Sequence, residues 1–186
     1  MDIKKIRRVP IFGVLFRYLN LYVGKGDPKY LIEFSPFELW LSRLIKPTSW
    51  VAVICFVLIF LQYFLTESIP DFSGLVLSAF PSLLGFGIGV FALLFVLPSS
   101  FLRDLDEKKK KSGFGSTILI ADMAYPLTFL TFSLAASPVI SAFGQGWVAQ
   151  FFHLFIFLYG LELVLELIGA ISSTAIRLFL NDDSKK

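Results

Sequence analysis

Asp122, Glu162 and Glu166 are the only charged residues between Ser112 and Ile171, a stretch otherwise made of apolar and small residues. An ionised carboxylate held in hydrocarbon costs roughly 3 kcal/mol even on lenient scales. Such groups must therefore be protonated, hydrogen-bonded internally, or wetted by a cavity. Glu162 and Glu166 are four residues apart, so on a helix they share a face, together with Tyr159, Gly169 and Ser173. Asp122 sits roughly 10 Å inside the inner edge of its segment by helical rise, and Glu166 reaches a similar depth. The same stretch holds no Lys or Arg to pair with them. The chemistry this pattern offers is a cation-attracting vestibule or a proton-sensitive gate. The competing reading puts Asp122 and Glu166 at a wetted mouth, where water or snorkelling Lys and Arg reach them, and leaves the deeper Glu162 as the better site.

Other chemistry is poorly supplied. There is no HExxH, no GxSxG and no paired cysteine set, and the single histidine, His153, lies off the Glu162 face. His153 is expected in the core or in a hydrogen bond, with no metal site and no cofactor. An acid pair of the protease type would lack any supporting motif, so the chain is not expected to be an enzyme. Pro126, four residues after Asp122, removes a backbone donor and can bend the helix beside the acids. Gly85, Gly87 and Gly89 superficially suggest a nucleotide loop, but they lie in an apolar segment with no preceding soluble strand. Ser78, Ser82, Gly85, Gly89 and Ala92 do share one helical face. Such a stripe suits close helix packing in a membrane, either within the chain or between subunits.

The elements that must position these residues follow from composition. The chain is 56% hydrophobic, with 22 phenylalanines and a mean hydropathy of +0.75. A bilayer core about 30 Å thick requires about 20 apolar residues per helix. Twenty uncharged residues separate Lys46 from Glu67, and 31 separate Asp71 from Arg103. The expected fold is an all-α polytopic membrane protein with four transmembrane helices, near 49–65, 75–97, 116–136 and 147–171. An N-terminal interfacial amphipathic segment (1–47) precedes the membrane domain (48–174), and a short tail (175–186) follows. The lone Cys55 falls inside the first span, which excludes an intrachain disulfide. The N-terminus lacks the pattern of a cleaved signal peptide.

Basic residues set orientation, because they are retained on the cytoplasmic side. All 17 fall before the first span, between spans two and three, or after span four. Both termini are therefore expected in the cytoplasm. Trp50 and Trp147 fit interfacial anchors. Nine acids on the basic side leave that side at +8. The run Lys108, Lys109, Lys110 and Lys111 reads as a loop facing anionic lipid or a partner; direct nucleic-acid binding is not expected.

Within the first 47 residues, Phe12, Leu15, Phe16, Leu19 and Tyr22 alternate with Arg17 and Asn20 as in a helix lying in the interface plane. Gly24, Gly26 and Pro28 end it. Ser35, Pro36 and Glu38 make a capping box for a second helix, and Pro47 limits its far end. Phe37, Trp40, Leu41 and Leu44 share a face of that helix and suit lipid, a neighbouring subunit or a cytosolic protein.

Two functional classes follow: a small oligomeric ion channel or pore lined by the acids, and a membrane anchor that assembles and holds a cytosolic effector. In size, span count, inside termini and basic inner surface the chain resembles the four-span membrane subunits of bacterial antiphage defence systems, of the Kiwa membrane-subunit type. The resemblance assigns no residue a role. It implies a homo-oligomer, with a tetramer as the expected form, that senses membrane disturbance and works with a cytosolic effector. The leading expectation is thus a non-enzymatic sensor or scaffold whose other contact is the lipid bilayer.

Overall fold

The computed structural model describes residues 10–68, 70–112, 115–144 and 146–183, all helix, turn or irregular backbone. Helix α1 (Pro10–Val23) is short and apolar. The four long helices are α2 (Phe37–Thr66), α3 (Ser73–Leu93, continuing in a 3-10 turn over Leu94–Val96), α5 (Ser116–Ala142) and α6 (Trp147–Asp183). Helix α4 (Ser99–Ser112) links α3 to α5. The four long helices are apolar and long enough to cross a membrane, as expected.

Helices α5 and α6 pack along each other and form the centre; α3 lies against both, α1 packs on α5, and α2 packs on α6. Successive residues of α6 explain the division. Val164 joins Val76, Phe80 and Leu130 on the α3 side, while Leu163 and Tyr159 join Val51, Cys55 and Ile59 on the α2 side. Helices in lipid gain little from hydrophobic exclusion and associate by close contact instead. Gly160 and Gly87 provide that contact: a Cβ at Gly160 would fall 2.4 Å from the Phe80 ring, and one at Gly87 would fall 2.4 Å from Leu127 Cδ2.

Two local expectations are corrected. Ser35 does not cap a helix. Its backbone N–H donates to Asn20 Oδ1 (2.9 Å), and its hydroxyl donates to the Asn20 carbonyl (2.9 Å). Asn20 Nδ2 also donates to the carbonyls of Tyr30 and Glu33. A buried amide that saturates its own hydrogen bonds outweighs a solvent-facing cap. The helix consequently starts at Phe37 with no side-chain cap.

Nor does Pro47 stop that helix. Residues Leu41–Ile45 form a π-helical turn in which the Lys46 N–H donates to the Leu41 carbonyl, five residues back. The wider register carries the chain to Pro47, which then occupies the first turn of the next α-helical stretch, where its missing donor costs nothing. The expected surface helix and first span are one helix of 30 residues.

At the end remote from the basic segments, Gln150 ties the α2–α3 connection to α6. Its Oε1 accepts from the Phe72 N–H (2.8 Å), and its Nε2 reaches Asp71 (3.4 Å). Asp71 also accepts from the Ser73 N–H (2.9 Å), and that hydrogen bond is the main cause that holds its carboxyl below the ordinary range. A depressed folded pKa makes this contribution complete above the unfolded value and lost as pH falls through the folded one. Amide exchange of Ser73 should therefore show constant protection at neutral pH, declining only below about pH 4. In Asp71→Asn the profile should be flat.

The packing glycines give a second test. Gly160→Val should lower unfolding stability in detergent by about 1–3 kcal/mol through overpacking against Phe80. Gly85→Val, where an added Cβ meets nothing within 4 Å, should leave the stability of a single chain within about 0.5 kcal/mol.

Candidate functional site

The acids meet a cation after all, and it comes from α2. Arg43 Nη2 lies 3.1 Å from Asp122 Oδ1, with the two side chains 24% and 17% exposed. The other terminal nitrogen, Nη1, donates to the Tyr22 carbonyl (2.7 Å), and the guanidinium sits over the Tyr22 ring at 4.5 Å. No Lys or Arg lies in the acids' own stretch; the arginine that reaches Asp122, as the competing reading allowed, is brought by helix α2, which runs through the π turn and carries Arg43 into the packed layer.

Tyr22 is the second donor. Its hydroxyl donates to Glu166 Oε2 (2.7 Å), and its ring stacks on Tyr125 with centroids 4.6 Å apart. Burial, and then the hydrogen bond to Glu166, push the Tyr22 hydroxyl well above the ordinary tyrosine range, so it is a neutral donor at any physiological pH. The Tyr125 and Tyr159 hydroxyls lie 3.2 Å apart, and Thr48, Glu162 and Glu166 stand near Tyr159. Four helices thus bring Tyr22, Arg43, Thr48, Asp122, Tyr125, Tyr159, Glu162 and Glu166 into one polar layer.

The layer is unevenly satisfied. Glu166 is exposed apart from its contact with Tyr22, whereas Glu162 Oε2 is buried and has no hydrogen-bond partner among the described residues. Thr48 Oγ1 is buried too and has the Tyr159 hydroxyl beside it. One guanidinium thus stands against three carboxyl groups.

His153 lies elsewhere, near the remote end. Its Nε2 is 3.1 Å from the Ser137 carbonyl and 3.3 Å from Ser141 Oγ, so Nε2 must carry a proton. It is the hydrogen-bonded core histidine expected. No group of three or more metal-ligating side chains occurs among the described residues.

The remaining candidates are separated from this layer. Ser78, Ser82, Gly85, Gly89 and Ala92 all face outward on α3, so the stripe packs against no other span of the same chain; the glycine that makes the close contact is Gly87, off the stripe. Trp40 and Leu44 turn inward, with Trp40 stacked on Phe34 and Phe16, while Phe37 and Leu41 stay exposed. Lys108–Lys111 lie in helix α4, and their side chains are outside the described residues. The α4–α5 corner is fastened by Asp106, which accepts from the Ser116 N–H and hydroxyl, both at 2.8 Å.

Tyr22, Arg43, Thr48 and Tyr125 are the site residues that sequence reasoning missed. One signal was available. Arg43, Pro47, Val51, Cys55 and Ile59 recur every four residues, and the last three form the buried stripe of α2. Extending that stripe back through Pro47 points Arg43 inward. No protein-family model, curated protein or solved structure matches the chain.

Arg43→Ala leaves Asp122 half-buried and unpaired, and should destabilise the protein by roughly 1–3 kcal/mol, discounted for partial exposure. The double variant Arg43→Met with Asp122→Leu should recover at least half of that loss. Unfolding titrations of the four-member cycle measure the coupling.

Proposed function

We propose that this chain is a non-enzymatic, self-associating sensor or scaffold of a bacterial inner membrane. In this reading its termini are cytoplasmic, and its N-terminal segment recruits or regulates a cytosolic effector, in the setting of antiphage defence. The observation that carries the reading is the fastening of the N-terminal segment to the membrane acids: Arg43 to Asp122, and Tyr22 to Glu166. Any change in how α5 and α6 pack shifts those carboxylates. The donors that hold α1 and the start of α2 shift with them. A population shift between two span packings then alters the surface around Phe37 and Leu41, where a partner docks. Self-association is supported by the outward stripe of α3, in which Gly85 and Gly89 have open space where a second helix would approach.

A second reading, an oligomeric cation or proton path, is favoured by the orphaned Glu162 oxygen and the excess of two carboxyl groups. The two readings part under one set of measurements. The protein is co-expressed with its genomic neighbours, purified in mild detergent and weighed. The sensor-scaffold predicts a stoichiometric soluble partner that is lost in Arg43→Ala, and an assembly mass that drops in Gly85→Leu. A homo-oligomer without a partner, together with a conductance in planar bilayers abolished by Glu162→Gln, would overturn it in favour of the path.

A further inference from the structure

Helix α1 stands upright along α5. Tyr22 stacks on Tyr125, Phe12 meets the Phe132 ring edge-on with centroids 6.2 Å apart, and Gly26 lies against the backbone of Ile118. The two helices are therefore antiparallel. Arg17, midway between Phe12 and Tyr22, falls at the height of α5 residues near 129, the middle of Ser116–Ala142. By helical rise that is about 20 Å from either end. Arg17 is exposed there and has no ion-pair or hydrogen-bond partner among the described residues. An unpaired guanidinium facing lipid at mid-depth is unfavourable and is tolerated only by snorkelling or by local thinning of the bilayer.

The same helix has a second place to go. At 14 residues it is about 21 Å long, too short to span, and its mixture of Phe12, Leu15, Phe16 and Leu19 with Arg17 suits the membrane interface, where the guanidinium would be hydrated. Asn20 binds α1 to the backbone of Tyr30, Glu33 and Ser35, so α1 and the following loop move as one body. The covalent joint to α2 is Pro36, in extended conformation. What holds the body upright is Tyr22 on Glu166 and Tyr125, the Arg43 contacts, Gly26 against Ile118, the stacks of Phe16 and Phe34 on Trp40, and the Phe12–Phe132 edge.

We infer that α1 is a two-position element, docked upright along α5 or laid in the interface about the Pro36 joint, with the exposure of Arg17 to lipid setting the balance. The two positions differ in how far Arg17 stands from water, so bilayer thickness acts on them unequally. A thin bilayer favours docking and a thick one favours release. This gives the proposed sensor its moving part and rests on that reading for its biological meaning. The movement itself is measurable without a partner.

The test places spin labels at Val14→Cys and Val139→Cys, both exposed positions, in the full chain with Cys55→Ala. The protein is reconstituted in vesicles of short-chain or long-chain monounsaturated phosphatidylcholine, and the label distances are recorded by pulsed electron resonance. A short, docked distance and a longer one are expected, with the docked-to-released ratio falling on the order of tenfold from thin to thick bilayers. Arg17→Leu should hold the docked distance in both, and Arg17→Lys should keep the dependence. One unchanging distance in both vesicles overturns the inference, as does a thickness dependence that survives in Arg17→Leu. Movement without any co-purifying partner sinks the sensor reading alone. A captured partner with a static α1 sinks only the inference.

Discussion

A carboxylate among membrane-spanning helices has to be met by a donor, and in this chain the meeting of Arg43 with Asp122 organises much of what surrounds it. For Arg43 to reach the layer, α2 must begin well before the first apolar span and must not break at Pro47. The π turn over Leu41–Ile45 satisfies both conditions. With Arg43 in place, its second terminal nitrogen has a carbonyl to serve, and the C-terminus of α1 supplies it at Tyr22. Tyr22 then lies within reach of Glu166, and its ring fills the space beside Tyr125. The position of the N-terminal segment thus follows from the need to satisfy the acids of α5 and α6.

Helix α6 has two kinds of interface. Toward α3 it offers Gly160 and Val164, and Phe80 enters the space that the missing side chain leaves. Contact of that kind is short-ranged and admits one arrangement, because a helix displaced by a side chain's radius loses most of its dispersion energy. Toward α1 and α2 the same helix adds to its apolar contacts with Val51, Cys55 and Ile59 the polar groups Tyr159, Glu162 and Glu166, where contacts run through hydroxyls, a guanidinium and unfilled acceptors. Polar partners can be exchanged one for another at similar energy. The α3 side is thus held by shape alone, and the other side by shape together with polar contacts.

The four long helices were legible because length and apolarity determine them directly, and Asp122, Glu162 and Glu166 were conspicuous as charges inside those runs. Their neighbourhood was legible too: Glu166 and Asp122 do stand close enough to interact. Partners were not, since they depend on which face of which helix is turned inward. Pro47 was read as a boundary because proline usually ends a helix, and that reading separated the segment that carries Arg43 from the first span. Ser35 was read as a cap from a local pattern, while its actual partner, Asn20, lies 15 residues away and wins by burial. The small-residue stripe on α3 shows the converse. Its periodicity was correct, but periodicity alone does not say whether a face looks in or out.

The choice of tyrosine at position 22 has a physical consequence. A lysine or arginine there would place a second full charge beside Glu166 and bring the layer nearer neutrality. The resulting pair, once formed away from water, would be costly to separate. Tyr22 stays neutral because burial and Glu166 both disfavour its anion. A hydrogen bond from a neutral donor to a carboxylate is worth about 1.5–3 kcal/mol, and on release each group returns to a tolerable state. The excess negative charge then remains on α6, to be met by protons or water, instead of being cancelled by α1. A contact of this strength holds a helix in place without locking it. The polar layer therefore joins the first helix to the membrane domain reversibly, while Arg43 and Asp122 keep α2 where it is.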